Sequence, residues 1–316
     1  MSPLLEVAQL YTAYQGKSML KDINFSLESG KILGIVGESG SGKSTLLRAI
    51  IGLLGSNGTV TSGNLQFAGI DLLSLAKKDW RALRGKEIGM IFQNPQISFH
   101  PIRKIRAQFL EAMKSHGYCD SDQATDLVLE TFYKIGLNDV DRVLDSYPFE
   151  LSGGMNQRVA IALAMVLQPR LLLADEPTSA LDVTVQVQCV KEFLDLRDRF
   201  DTAIIMVTHN MGIISYIADK IAVMYAGMVV EYGTKQDILT NSMHPYTRAL
   251  IASIPNLKGA PPKGIPGQPP VLGEEFQGCC FAPRCALCSE ICTEELPRLQ
   301  FIDEHHAIRC YKYSEV

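Results

Sequence analysis

The chain has 316 residues, 47% of them hydrophobic, and its 30 basic and 34 acidic side chains leave a formal net charge of −4. That composition supports a sizeable globular core and lacks the strongly basic balance that general nucleic-acid binding favours. No apolar run reaches the ~18–20 residues needed to cross a bilayer, and the start, Met-Ser-Pro-Leu-Leu-Glu, has neither the basic nor the apolar region of a signal peptide. The sequence therefore reads as a cytoplasmic chain able to dock on a membrane partner.

Along the chain, short apolar runs alternate with helix-length stretches. Ile32–Val36, Ile88–Phe92, Leu171–Ala174, Ile204–Val207 and Ile221–Met224 read as buried strands, and Lys43–Leu54 and Val185–Phe200 as helices. The alternation predicts an α/β fold with a mainly parallel central sheet. Directly after the first strand comes Gly37-Glu38-Ser39-Gly40-Ser41-Gly42-Lys43-Ser44, the G-x-x-x-x-G-K-[ST] pattern. Its glycines let successive backbone N–H groups curl round a phosphate, and the helix that follows points its positive end at the same place. Lys43 supplies a charge for the β- and γ-phosphates of a nucleotide, and Ser44 a hydroxyl for Mg²⁺.

Residues 103–147 carry no convincing strand and read as a mostly helical insertion. The strand at Leu171–Ala174 then runs into Asp175 and Glu176. Carboxyl ends of parallel strands converge on the ligand crevice, which suits Asp175 to Mg²⁺ and Glu176 to polarising a water. Beyond about residue 250, Pro255, Pro261, Pro262, Pro266, Pro269 and Pro270 with interspersed glycines make a linker. Six of the eight cysteines crowd the last 38 residues; in a cytoplasmic chain such clustering favours metal binding over disulfides.

Leu151-Ser152-Gly153-Gly154-Met155-Asn156-Gln157-Arg158 resembles the signature motif of the ABC ATPases, with Met155 at the place usually held by Gln. It opens a helix expected at Val159–Leu167 and can present a hydroxyl and bare N–H groups to an anion. Further matches fall in order. Gln93 resembles the Q-loop glutamine that touches Mg²⁺ and the attacking water, Ser179-Ala180-Leu181-Asp182 the D-loop, and His209 the switch histidine at the γ-phosphate. Tyr14 is similar in placement to the aromatic that stacks on adenine, with Tyr11 a competitor. The resemblance implies a P-loop NTPase of the ABC type, with an antiparallel β subdomain, a helical insertion and a small Cys-rich C-terminal extension. It covers residues 1–250 as the nucleotide-binding domain, the helical part at about 95–158, and leaves 251–316 as linker and extension.

Family members work as head-to-tail pairs. The resemblance therefore implies ATP and Mg²⁺ held by Gly37, Ser39, Gly40, Ser41, Gly42, Lys43, Ser44 and Thr45, with Ser44, Gln93 and Asp175 on the metal. It implies Glu176 as general base, with His209 and Gln93 beside it, and Ser152, Gly153, Gly154 and Asp182 at the subunit junction.

Two functional classes remain, a transport motor and a soluble regulatory or mechanical ATPase. The stretch between Gln93 and Ser152 is too short for the coiled coil of chromosome-associated members, and the chain too short for two ATPase units. The C-terminal part points to transport. His244-Pro245-Tyr246-Thr247-Arg248-Ala249-Leu250 and Gly278-Cys279-Cys280-Phe281-Ala282-Pro283-Arg284-Cys285 resemble the oligopeptide/dipeptide (and nickel) importer ATPases. That implies an integral membrane permease, an extracytoplasmic solute-binding protein and a second, related ATPase subunit as partners, at the cytoplasmic face of the membrane. Peptide, nickel, metallophore or another small solute would fit. In some such proteins the extension ligates an iron–sulfur cluster. The matching positions are Cys279, Cys285, Cys292 and Cys310, separated by five, six and seventeen residues. Four thiolates suit a [4Fe–4S] cluster or tetrahedral Zn²⁺, free thiols or a disulfide are the alternative to a metal, and Cys280 and Cys288 leave other ligand sets open. His305 and His306 read as surface residues.

Overall fold

Every apolar run singled out above is a strand in the computed structural model, which describes residues 2–118, 120–137, 139–179, 183–254 and 264–313. In chain order the strands are β1 (Leu5–Tyr14), β2 (Lys17–Leu27), β3 (Ile32–Val36), β4 (Gly58–Phe67), β5 (Ile70–Asp71), β6 (Ile88–Ile91), β7 (Leu171–Asp175), β8 (Ala203–Thr208), β9 (Lys220–Tyr225), β10 (Met228–Thr234), β11 (Gln300–Phe301) and β12 (Ala307–Ile308). The helices are α1 (Lys43–Ile50), α2 (Lys77–Leu83), α3 (Ile105–Ser115), α4 (Ser121–Lys134), α5 (Val140–Asp145), α6 (Gly153–Met165), α7 (Val183–Phe200), α8 (Met211–Ile217), α9 (Lys235–Thr240), α10 (Pro245–Ala252) and α11 (Ile291–Glu294). β3, β7 and β8 are buried along their whole length, as inner strands of a parallel sheet are. Among the described residues no helix is long and apolar enough to cross a membrane.

The chain divides into two compact units: Met1–Glu28, Ile32–Ser74 and Val207–Val316 form one, Ser29–Lys31 and Leu75–Met206 the other. The first holds the antiparallel sheet β2-β1-β4-β5. Leu5, Val7 and Leu10 of β1 and Ile23, Phe25 and Leu27 of β2 form its buried side. In the same unit β3 runs parallel to β9, with Val36 opposite Val223. β10 pairs antiparallel with β9, and β12 from the C-terminal extension pairs with β10, setting Tyr232 opposite Ala307. The helix expected over Lys43–Leu54 stops at Ile50. Gly52, at φ 67°, takes the left-handed conformation there, and Leu53 N–H to Arg48 O (2.7 Å) with Gly52 N–H to Ala49 O (3.1 Å) close the helix end.

Buried charges pin the extension to this unit. The Arg309 guanidinium donates to Val229 O, Pro297 O and both Asp22 O and Asp22 Oδ2, the last at 2.8 Å. Glu231, fully buried, accepts from the N–H groups of Met243 (2.7 Å) and His244 (3.1 Å) and contacts His306 Nε2 at 2.9 Å. His306 is therefore no surface residue but 4% exposed, held inside by that carboxylate, whereas His305 is exposed as expected.

In the second unit the strand order is β8-β7-β6, with β6 parallel to β7 and Ile91 opposite Ala174. The segment 103–147 is helical as expected, in α3, α4 and α5, with Phe109 of α3 and Phe132 of α4 stacked edge to face at 5.2 Å. α6 begins six residues earlier than expected, because Ser152 caps it by accepting Met155 N–H at 3.3 Å and carries the two glycines into its first turn.

The Glu231 contact raises the His306 pKa against the opposing effect of burial. A raised folded value means that this contact stabilises fully below the ordinary value of 6.5 and fades as pH climbs through the raised one. The thermal midpoint of the wild type should therefore fall by a few degrees between about pH 6 and about pH 9 relative to His306→Asn, measured by circular dichroism.

Candidate functional site

The first unit carries the phosphate loop. It leaves the buried end of β3 at Val36, and α1 begins at Lys43 with Gly42 at φ 100° as its N-cap and no capping side chain. A side chain at that left-handed position would be strained, and a Cβ would lie 2.9 Å from Leu20 Cδ2. Lys43 is 5% exposed; its ammonium donates to Gly37 O at 2.8 Å, Glu38 O at 2.9 Å and Ser41 Oγ at 3.4 Å. The turn between β9 and β10 supports the loop from behind, Gly227 N–H donating to Ser41 O at 3.0 Å. Ser39 and Gly40 are exposed at the loop's tip, and Ser44 and Thr45 half-buried in the first turn of α1. His209 is exposed just past β8. Tyr14 closes β1 with its ring against Gly58. Tyr11 faces elsewhere, into a groove of about 630 Å³ with Asp22, Pro297 and Arg309.

The second unit holds the acidic pair, Gln93 and the signature. Because Ile91 lies opposite Ala174, Gln93 leaves β6 at the same sheet edge at which Asp175 and Glu176 end β7. Asp175 is 4% exposed, while Glu176 turns the chain with a left-handed φ of 46°, a strained conformation of the kind concentrated at functional sites. The approach to the signature is fixed by Asn156, buried, whose side-chain amide donates to Pro148 O (3.0 Å) and Leu151 O (3.1 Å). Behind it, Arg158 pairs with Glu192 at 2.8 Å, and burial pushes the Glu192 pKa up to about 7 against that pairing. Asp182 lies outside the described residues.

The cysteines gather in the first unit. Cys279, Cys285, Cys288, Cys292 and Cys310 line one cavity of about 400 Å³ together with His244. Cys280 is 3% exposed and does not line the cavity; its hydrogen bond to Cys279 drives the Cys279 pKa down, assisted by His244. Burial pushes the Cys285 and Cys310 thiols up. Leu287 N–H points at Cys285 Sγ (3.4 Å), and Ser289 Oγ lies 3.3 Å from Cys292 Sγ. Among the described residues no three His, Cys, Asp or Glu side chains converge to hold a single metal ion.

Comparison with known proteins decides what these parts belong to. Residues 20–179 match the family described as ABC transporter, and residues 230–292 the oligopeptide/dipeptide transporter C-terminal region. The chain is 40% identical to a probable peptide ABC transporter ATP-binding protein, y4tR of Sinorhizobium fredii, over 99% of this chain and 96% of that protein. It is also 40% identical to the oligopeptide transport ATP-binding protein OppD of Salmonella typhimurium, over 99% and 94%. The chain belongs to the ABC transporter family. It is an ATP-hydrolysing subunit of an ABC importer. Among solved structures, cbiO1 of Clostridium perfringens, part of the ABC transporter complex cbiONQ, is similar with a TM-score of 0.67 and 26% identity over 75% of this chain and 91% of that one. The ATP-binding cassette MJ0796, in a dimeric post-hydrolysis state with ADP and Pi, gives 0.65 and 26% over 73% and 98%.

Several residues of this ABC ATPase that matter to the site lie inside the quoted motifs with no role assigned to them from sequence: Asn156 beneath the signature, and Tyr246 and Arg284, which reach Glu38 in the phosphate loop. The cue for each was its place, Asn156 within the signature and Tyr246 and Arg284 within the two C-terminal motifs. Gly153 shows the reverse. Its backbone is not left-handed, and a Cβ there would meet nothing within 4 Å among the described residues, so none of those residues requires glycine at this position. Gly153→Ala should accordingly leave the melting temperature unchanged while ATPase turnover falls ~10²-fold, as displacement of a positioned group does; unchanged turnover would remove Gly153 from the site. Lys43→Ala should weaken ATP binding by roughly 10–100-fold, the worth of a charged hydrogen bond, as read by nucleotide titration.

Proposed function

We propose that the chain drives peptide uptake through a separate integral membrane permease, working at the cytoplasmic face of the membrane as one of two ABC ATPase subunits that hold ATP between them. The observation that carries this reading is the 40% identity to peptide-transport ATPases across nearly the whole chain, the C-terminal region included. The second subunit is a related chain, and an extracytoplasmic solute-binding protein delivers the cargo.

Within the pair, the phosphate loop from Gly37 to Thr45 binds the triphosphate, Lys43 offsetting its charge, and Tyr14 stacks on the base. Ser44, Asp175 and Gln93 are oxygen donors, the chemistry Mg²⁺ selects; when bound, the ion neutralises charge on the β- and γ-phosphates. Glu176, displayed by its strained turn at the end of β7, takes the proton of the attacking water, and His209 steadies the γ-phosphate. Ser152, Gly153 and Gly154 of each subunit serve the ATP held by the other, and Asp182 lies at the junction.

The thiol-lined cavity is the site proposed for a [4Fe–4S] cluster on Cys279, Cys285, Cys292 and Cys310. Its support is chemical: five thiols line one cavity, and thiolates are the ligands that an iron–sulfur cluster takes.

Isolation of the intact membrane complex, with identification of its subunits and bound solute, tests the reading; a complex without a permease, or one loaded with a metal chelate, would overturn it. Glu176→Gln should retain ATP binding and lose ~10²–10⁴-fold in turnover, the worth of a positioned base. Anaerobically purified protein should be brown and contain iron and sulfide; a colourless, iron-free protein would reject the cluster.

A further inference from the structure

One residue of the phosphate loop is gripped from three sides, and two of the grips come from Arg284 and Tyr246, each next in sequence to a residue that lines the cysteine-lined cavity. Glu38 donates its N–H to Tyr246 Oη at 2.9 Å. Its carbonyl accepts from Lys43 Nζ at 2.9 Å and from Ser41 N–H at 3.2 Å. Its carboxylate accepts a two-pronged contact from Arg284, 2.7 Å to Oε2 and 3.0 Å to Oε1. The Arg284 side chain is only 4% exposed. Its remaining N–H capacity goes to Pro266 O at 2.8 Å, Ile265 O at 3.4 Å and Tyr225 Oη at 3.2 Å.

Both partners of Glu38 are tied directly to the cavity. Arg284 precedes Cys285, and the turn that presents it is closed by Arg284 N–H to Phe281 O and Cys285 N–H to Ala282 O. Tyr246 follows His244 by two residues and donates its N–H to His244 Nδ1 at 3.0 Å. Cys285, His244, Phe281 and Ala282 all line the cavity. A planar guanidinium bonded through two nitrogens to one carboxylate holds a single orientation. Any shift of the 282–285 turn therefore moves Glu38, and with it the carbonyl that anchors Lys43.

We propose that Arg284 is a positioning residue of the ATPase, linking the cysteine-lined cavity to the phosphate loop through Glu38, so that the state of the cavity sets ATP affinity. Linkage makes the effect reciprocal: nucleotide on the loop orders the turn that forms the cavity wall. The inference rests on the ATPase assignment and holds whichever group the cavity takes, so it stands or falls separately from the proposed cluster.

The test uses the full-length chain and its Arg284→Ala, Arg284→Lys, Glu38→Ala and Arg284→Ala/Glu38→Ala variants. KM for ATP, kcat and the unfolding midpoint are measured for each. Arg284→Ala is expected to raise KM about three- to tenfold while kcat changes less than about twofold, and Arg284→Lys, a point charge without the fork, to fall between it and the wild type. Because the two residues act as one contact, the double variant should be no worse than the single ones. Unchanged KM in Arg284→Ala, or additive losses in the double variant, would overturn the proposal. A second measurement needs no variant: hydrogen exchange of residues 279–288 in the wild type, with and without Mg-ATP. Several-fold slower exchange with nucleotide supports the link, and identical exchange under saturating nucleotide refutes it.

Discussion

A buried ammonium shapes the nucleotide loop of this chain. Lys43 has left water almost completely, and a charge removed from water must find acceptors in the protein. It finds them in the carbonyls of Gly37 and Glu38, so the loop curls round its own lysine between β3 and α1. A triphosphate offers stronger acceptors to the same ammonium. In the proposed role of the loop, nucleotide binding would exchange the contacts that define it, and groups touching Glu38 would bear on ATP.

The C-terminal extension is built into the first unit by the same physics. β12 adds to the edge of β10, and the charges of Arg309 and Glu231, both buried, are each met by several hydrogen bonds. Removing one partner of a buried charge is costly, because the remaining charge is left uncompensated. Here the two charges hold His244 and Pro297, which line the thiol cavity, and Arg309 directly precedes Cys310, which lines it too. Cys280, one residue from Cys279, packs into the core, and that neighbour together with burial raises the Cys280 pKa.

In the second unit, strand register has the organising role. The pairing of Ile91 with Ala174 sends Gln93, Asp175 and Glu176 out at one edge of the sheet. The helical segment offers its signature at the capped start of α6, whose glycine at position 153 has open space around it. An open position at a helix start suits a signature that serves another subunit's nucleotide, the arrangement that the family resemblance implies.

The nucleotide motifs and the strands that deliver them were legible in the sequence because they are local. A phosphate loop needs glycines and a lysine at fixed spacing, and a buried strand such as Ile32–Val36 needs an unbroken apolar run. The antiparallel sheet was visible only through the family resemblance, since β4 is largely exposed and its apolar alternation is diluted. The end of α1 depended on Gly52, and the early start of α6 on a serine cap outweighing two poor helix formers. What tertiary structure alone decided were the long-range partners. Glu38 meets Arg284, Asp22 meets Arg309, and Glu231 meets His306, because residues far apart in the chain became neighbours only once β10 had taken in the extension. Sequence spacing records none of that, because a hydrogen bond acts over about 3 Å of space whatever length of chain lies between its ends.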